Sequence, residues 1–389
     1  MVKKTFLYVT ILSVLFLSGC WGQRNIEDLG FTVGTAIDME DKSGGEMELR
    51  MTNQGVVPPL LSNPGQGAAQ GAATKNLSAT GNSLLVINDK LDTMSERIPF
   101  YEHLKLIMLS EEVVSVPDLF PKVMDFFLRE GEMRREIRLV IAEGEASSVL
   151  DIQPEGEQLP IIYIDSTFEN TEGRTLQILT GPRIGDIHEL LLSTYSYAIP
   201  IIKTTGNTVE LNQAAVFSGE TDSMVGKLNK EEVMGLNLIR GEQREGIIDL
   251  KVHGEILNLQ MTSMTSNVDM NVNDLENINI SIHIELEGFI DEMFSERSLV
   301  DNEYLREIED EVVKRVEDLT KAAIEKGQEE LQVDFFGFSR HMYGNHYDQW
   351  QKIKDNWDQG ENYFANHTTI DVSVNVDLEA IGAMDKVSK

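Results

Sequence analysis

Residues 278–286 read Ile278-Asn-Ile-Ser-Ile-His-Ile-Glu-Leu286, with an apolar residue at every second position. Successive side chains of a strand point to opposite faces, so this alternation predicts a strand with one buried face and one wet face. From Leu305 the period changes. Leu305, Ile308, Val312, Val316, Leu319 and Ala323 recur at threes and fours, the inner stripe of a long amphipathic helix. A strand pattern followed by a helix pattern, each with one apolar side, argues for sheet and helix packed together in an α+β arrangement.

Toward the C-terminus the helix hands over to Leu331-Gln-Val-Asp-Phe-Phe-Gly-Phe338, an aromatic corner around Gly337. Tyr347, Trp350, Ile353 and Trp357 return at helical spacing, and the two tryptophans are expected in the core. Ile370, Val372, Val374, Val376 and Leu378 alternate as a closing strand, and residues 382–389 form a polar tail.

Toward the N-terminus, Val216 to Leu228 reads as two strands turning near Gly219-Glu220. Asn229-Lys-Glu-Glu232 then opens a helix: Asn229 caps the first amides, Glu232 reaches back to the amide of Asn229, and Leu228 with Val233 forms a hydrophobic staple. Gly241 is its stop. The first half mixes both classes. Phe31, Val33, Thr35 and Ile37 form one strand and Met47, Leu49 and Met51 a second, joined by a turn at Lys42-Ser-Gly-Gly45. Residues 53–75 lack periodicity and read as a loop, and Leu84–Met94 as a short helix. Leu104–Leu109 is an apolar strand, and Pro117 opens a helix with Leu119, Phe120, Val123, Phe127 and Leu128 inward. A strand of Ile137, Leu139 and Ile141 and a helix from Ile184 to Tyr195 follow, with Pro200 near a domain end.

The first twenty residues are of another kind. Lys3 and Lys4 precede an apolar run from Phe6 to Leu17, too short for the roughly 20 residues that span a bilayer. The run ends in Leu17-Ser-Gly-Cys20, which resembles a bacterial lipobox, and Cys20 is the single cysteine of 389 residues. That resemblance implies cleavage before Cys20 and its modification with diacylglycerol and palmitate. Two or three acyl chains anchor a protein stably where one does not. Residues 1–19 are then a signal peptide, and the tethered body divides as 20–200, an N-terminal α+β domain, 201–290, a mostly β middle domain, and 291–389, a C-terminal α+β domain with the long helix.

The formal charge of −32 repels nucleic acid and anionic lipid headgroups, so nucleic-acid binding is disfavoured. With Cys20 lipidated, no thiol remains for a disulfide, a thiolate metal site or a nucleophile. Gly65, Gly67 and Gly71 lack the spacing and the lysine–hydroxyl pair of a phosphate loop. Asp355, Asp358, Gly360 and Glu361 suggest a calcium loop, but Trp357 stands where an oxygen ligand is needed. His103 and His188 have no partner at metal-ligand spacing and read as structural. The sequence thus offers no catalytic residue, no metal ligand and no cofactor-binding residue, and the expectation is of a protein that is not an enzyme.

Four stretches together resemble the Ger(x)C family of spore-germination lipoproteins. The first is Cys20-Trp21 with Arg24-Asn25-Ile26-Glu27-Asp28-Leu29 and the strand ending in Ile37-Asp38. The second runs from His103-Leu-Lys105 through Arg134-Arg135 to Ala142-Glu-Gly-Glu-Ala146 and Leu150. The third is Ala215-Val-Phe217, Met224-Val-Gly-Lys-Leu228 and Glu232, and the fourth is Asp334-Phe-Phe-Gly-Phe338 with Trp350 and Trp357. Where the family has Trp-Asp-x-Arg-Glu after the cysteine, this chain has Trp21-Gly-Gln-Arg-Asn25. The resemblance implies a three-domain α+β lipoprotein on the outer face of the spore inner membrane. It would be the C subunit of a nutrient germinant receptor, without enzymatic activity, acting by contact with the integral membrane A and B subunits. The alternative is an extracytoplasmic solute-binding lipoprotein of a transporter, which would show two similar α/β lobes closing on a ligand.

Overall fold

The computed structural model describes residues 29–40, 47–57, 73–131, 133–293 and 302–379. The expectations for residues 1–28 (Cys20 among them), the Lys42–Gly45 turn, Gly65, Gly67 and Gly71 and the tail 382–389 lie outside the described residues.

Among the described residues the strands make two sheets. β1 (Leu29–Glu40), β2 (Glu48–Val56) and β3 (Thr74–Gly81) pair antiparallel, while β4 (Ile98–Phe100) and β5 (Leu106–Ser110) run parallel to β1. β6 (Arg138–Ala142) and β7 (Tyr197–Thr205) extend the parallel part, and β8 (Thr208–Ser218) and β9 (Ser223–Leu228) close the sheet antiparallel. α1 (Leu84–Met94), α2 (Glu111–Ser115) and α3 (Leu119–Arg129) cover one face. α4 (Pro160–Thr171) and a 3-10 turn at Ala146–Asp151 cover the other, and α5 (Ile184–Leu192) returns to the first. Covered on both sides, the central strands lose their alternation: Leu106–Ser110 and Arg138–Ala142 are buried at every position.

α6 (Lys230–Arg240) begins as its sequence requires. Asn229 Oδ1 accepts from the Glu231 and Glu232 amides, Glu232 accepts from the Asn229 amide at 2.7 Å, and Gly241 ends the helix at φ +66°. Every residue from Val233 to Ile239 is buried. α6 is therefore a core helix between the sheets.

The second sheet holds β10 (Gly246–Val252), β11 (Glu255–Asn271) and β12 (Ile278–Met293), antiparallel, and β13 (Thr368–Glu379), parallel to β12 at its edge. A parallel pair needs a crossover, and α7 (Asn302–Glu325) supplies it while covering the apolar face. Ile308, Val312, Val316, Leu319 and Ala323 are at most 1% exposed. Burying each large apolar side chain is worth about 1.5–3 kcal/mol. α8 (Phe338–Asn345), α9 (Tyr347–Ile353) and α10 (Tyr363–Asn366) fill the crossover's second half. α6 and α7 meet at Gly235, where a Cβ would fall on the Leu319 carbonyl oxygen.

The structure departs from the sequence reading in particular places. Asn53–Val56 belong to β2, so the loop begins later than expected. The helix expected at Pro117 starts at Leu119, after Asp118 in a left-handed conformation. Trp357 lies beyond α9, which ends at Ile353, yet it is buried because its ring packs on Trp350 and Phe364. Pro200 lies inside β7. It is tolerated because pairing to β6 begins only at Ile201, while Leu139 of β6 bonds instead to Pro182. Residues 200 and 201 both lie in β7, and residues 290 and 291 both lie in β12.

Candidate functional site

The two sheets meet at a polar junction assembled around Asp334. This side chain is fully buried. Its Oδ1 accepts from the amides of Phe336, Gly337 and Phe338 at 3.1–3.2 Å, and its Oδ2 accepts from the Ser339 amide at 2.6 Å and Trp357 Nε1 at 2.8 Å. The first amides of a helix have no partners within it, and the carboxylate supplies those of α8 while fixing the indole. The aromatic corner read from the sequence is the shell of this hub: Phe335, Phe336, Phe338 and Phe364 pack ring on ring.

Asp358 links the hub to the first sheet. Its Oδ2 accepts from the Asp334 amide at 3.1 Å and from the Ser196 hydroxyl at 2.6 Å. Ser196 immediately precedes β7, and its oxygen also accepts from the Gly219 amide at 3.0 Å, in the β8–β9 turn. Burial, with the neighbouring Asp334 charge adding, pushes the Asp358 carboxyl up to about 6, against the opposing Ser196 hydrogen bond.

Beside this linkage lies a cleft of about 420 Å³. Arg240, at the end of α6, donates to the Phe335 carbonyl at 2.6 Å, and its pKa is lowered mainly by burial. Arg340 pairs with Glu189 of α5 at 3.5 Å across the cleft. Its walls thus carry both charge signs, and Ser196 is committed to Asp358 and Gly219. Among the described residues no three His, Cys, Asp or Glu side chains are grouped as a metal site. Nor, among them, is any helix long and apolar enough to cross a membrane. The junction is built for contact between elements, and what it offers chemically is a mixed-charge recess.

A second linkage unites two other stretches singled out in the sequence. Asp38, at the end of the first strand, accepts from the amides of Ala146 and Ser147, where the 3-10 turn begins. Arg50 lies 3.6 Å from Asp38 and 3.2 Å from Glu145. Lys105 reaches Asp165 of α4 at 3.6 Å, and that carboxyl also faces the buried Arg138 at 3.7 Å. His103 packs on Phe31 and Phe100 edge to face, and His188 is half-buried on α5. Arg134 meets Glu136 at 3.5 Å on the surface, and the Arg135 carbonyl accepts from the Gly185 amide at the start of α5. Cys20 lies outside the described residues. Ser196 and Asp165 were missed in the sequence, although Ile161, Ile164 and Phe168 around Asp165 recur at the helical spacing of α4 and could have signalled it. It singled out Asp358 only as a failed calcium ligand.

Two family models match the chain. One, described as "Spore germination protein N-terminal domain", covers residues 22–204, and the other, "Spore germination B3/ GerAC like, C-terminal", covers residues 212–382. The chain is 27% identical to spore germination protein YndF of Bacillus subtilis (strain 168), over 97% of this chain and 96% of that one. It is 27% identical to spore germination protein A3 of the same organism, over 95% and 96%, and 25% identical to spore germination protein B3, over 90% and 92%. Among solved structures it is similar to the crystal structure of the GerBC protein, with a TM-score of 0.58 and 20% identity over 88% of this chain and 97% of that one. At that identity the likeness establishes the fold.

Proposed function

The chain belongs to the B3/GerAC-like family of spore germination proteins, and from that premise we propose that it is the lipid-anchored, non-enzymatic subunit of a nutrient germinant receptor. A role in spore germination follows from the family. The finer reading is that the body acts by protein–protein contact with the integral membrane A and B subunits, on the outer face of the spore inner membrane. The observation that carries it is the match along nearly the whole length to germination proteins A3 and B3.

The proposed anchor is the diacylglycerol- and palmitate-modified Cys20. From Cys20 to Leu29, nine residues reach no further than about 30 Å, which would hold the first sheet close to the bilayer. Confinement at that distance raises the effective concentration of the body at a membrane partner, so a weak contact becomes well occupied. The two sheets differ in size and topology, which gives no support to a pair of similar lobes closing on a solute.

The test is gentle detergent extraction of spore membranes through a tag at the C-terminus. Two polytopic subunits in comparable amount are expected to co-purify. A transporter permease in their place, or no membrane partner even after cross-linking, overturns the reading. In parallel, Cys20→Ala is expected to leave a folded body that no longer sediments with membranes.

A further inference from the structure

We propose that β13 is a docking edge that receives an extended segment of a partner polypeptide in which apolar and basic side chains alternate. β13 ends its sheet, and among the described residues its outer backbone edge pairs with no strand over the whole stretch Thr368–Glu379. The Thr368 carbonyl accepts from Gln328 Nε2 at 3.0 Å, and beyond it the strandless edge is a template for strand addition, which proteins commonly blunt with lysine, proline or a bulge. None of these is present: Thr-Thr-Ile-Asp-Val-Ser-Val-Asn-Val-Asp-Leu-Glu holds no lysine and no proline, and its register against β12 runs without a break from Thr368 to Glu379.

The two faces of the strand specify what fits. Ile370, Val372, Val374 and Val376 stand beside Ile280, Ile282, Ile284 and Leu286 of β12. The β12 residues are at most 1% exposed, whereas their β13 neighbours are only half-buried. The apolar row thus runs out at the edge before it is fully covered, and the apolar residues of an added strand would complete it. On the opposite face β13 exposes Asp371, Asp377 and Glu379, with Asp377 beside Glu287 of β12 and Asn375 beside Glu285. Basic residues of the added strand would face these carboxylates, since opposite charges across strands stabilise and like charges destabilise. A second copy of this chain is a poor occupant. Antiparallel self-pairing centred on Val374 places Asp371 opposite Asp377, and β13 carries no cation to relieve them. The inference goes beyond the receptor reading, because the surface is defined without reference to which membrane subunits are present.

The test uses the full chain in detergent micelles with a synthetic nonapeptide, Lys-Val-Lys-Val-Lys-Val-Lys-Val-Lys. The control is a block peptide of the same composition with its five lysines followed by its four valines. Hydrogen exchange followed by mass spectrometry reads the amides of residues 368–379. The alternating peptide is expected to slow their exchange at about tenfold lower concentration than the block peptide, the sum of several cross-strand pairs. Asp371→Lys combined with Asp377→Lys removes the protection, and the corresponding asparagine pair weakens it. All four substitutions fall on exposed positions, so the fold is retained and circular dichroism checks that it is. Equal protection by the two peptides, or protection of Gly246–Val252 rather than β13, overturns the proposal. So does an edge already protected without peptide, by a second copy in a dimer or by residues 380–389 of the chain itself.

Discussion

The Ser196 hydroxyl donates to the Asp358 carboxylate at 2.6 Å, across a sequence separation of 162 residues. Ser196 stands at the foot of β7 in the first sheet, and Asp358 hydrogen-bonds the amide of Asp334 in the second unit. The pair links the sheets through a carboxyl that burial has made reluctant to ionise.

Stability should depend on pH through this group. With its carboxyl raised to about 6, the folded protein holds the proton more readily than the unfolded chain. Its contribution is therefore fully present below the ordinary aspartate range and is lost as pH rises through about 6. Asp222, also pushed up to about 6 by burial and the Asp118 charge, titrates in the same window. Asp358→Asn keeps an acceptor for Ser196 and removes the charge. It is expected to raise stability at pH 7 by roughly 1–3 kcal/mol and to flatten the loss between pH 4 and 6. Thermal unfolding across that range checks it, and an unchanged pH profile in the variant refutes the assignment.

Asp334→Asn should be severely destabilising. The native carboxylate accepts from four amides and one indole, and an asparagine would point a second donor at some of them. A loss of about 3 kcal/mol or more is expected, since a buried charge-assisted network is broken. Denaturant unfolding measures it, and a red-shifted tryptophan emission would report the freed Trp357.

Two glycine substitutions should act with opposite sign. In Gly235→Ala the new methyl meets the Leu319 carbonyl and the Ala323 side chain, so α6 and α7 must move apart, at a cost of several kcal/mol. In Gly344→Ala nothing lies within 4 Å of the new methyl, and the helix gains about 0.5–1 kcal/mol from lower chain entropy. Midpoints of urea unfolding for the two variants on either side of wild type would confirm the helix crossing.

Asp38→Ala is expected to cost about 2–3 kcal/mol, leaving the amides of Ala146 and Ser147 without their carboxylate acceptor. Amide exchange confined to residues 146–151 should quicken before the rest of the sheet, and uniform exchange throughout the chain would contradict this placement.

Much of the fold was legible because helices and strands announce themselves over a few residues. The bounds of α1 and the caps of α6 are set by neighbours at most four positions away. The alternation of β12 and β13 and the stripe of α7 are likewise short-period signals. The buried central strands β5 and β6 were read as apolar runs. β7 was not read as a strand because Pro200 is a local stop signal, and only the placement of Pro182 beside β6 makes it harmless. Trp357 was expected on a helix with Trp350, and it is instead held by a carboxylate 23 residues earlier.

By itself the sequence determined the types of the strongly periodic elements, the caps of α6, the acidic composition and the resemblance to a germination family. Each of these depends on composition or on residues close along the chain. The tertiary structure alone decided that Asp334 would gather four amides and an indole, that Ser196 would meet Asp358, and that β7 and β12 would continue through residues 200 and 290. It also decided that β13 would be left as an edge. These are pairings between segments up to 162 residues apart, and which segments meet is set by the order of strands in the sheets and by the burial of α6 between them, neither of which any local pattern encodes.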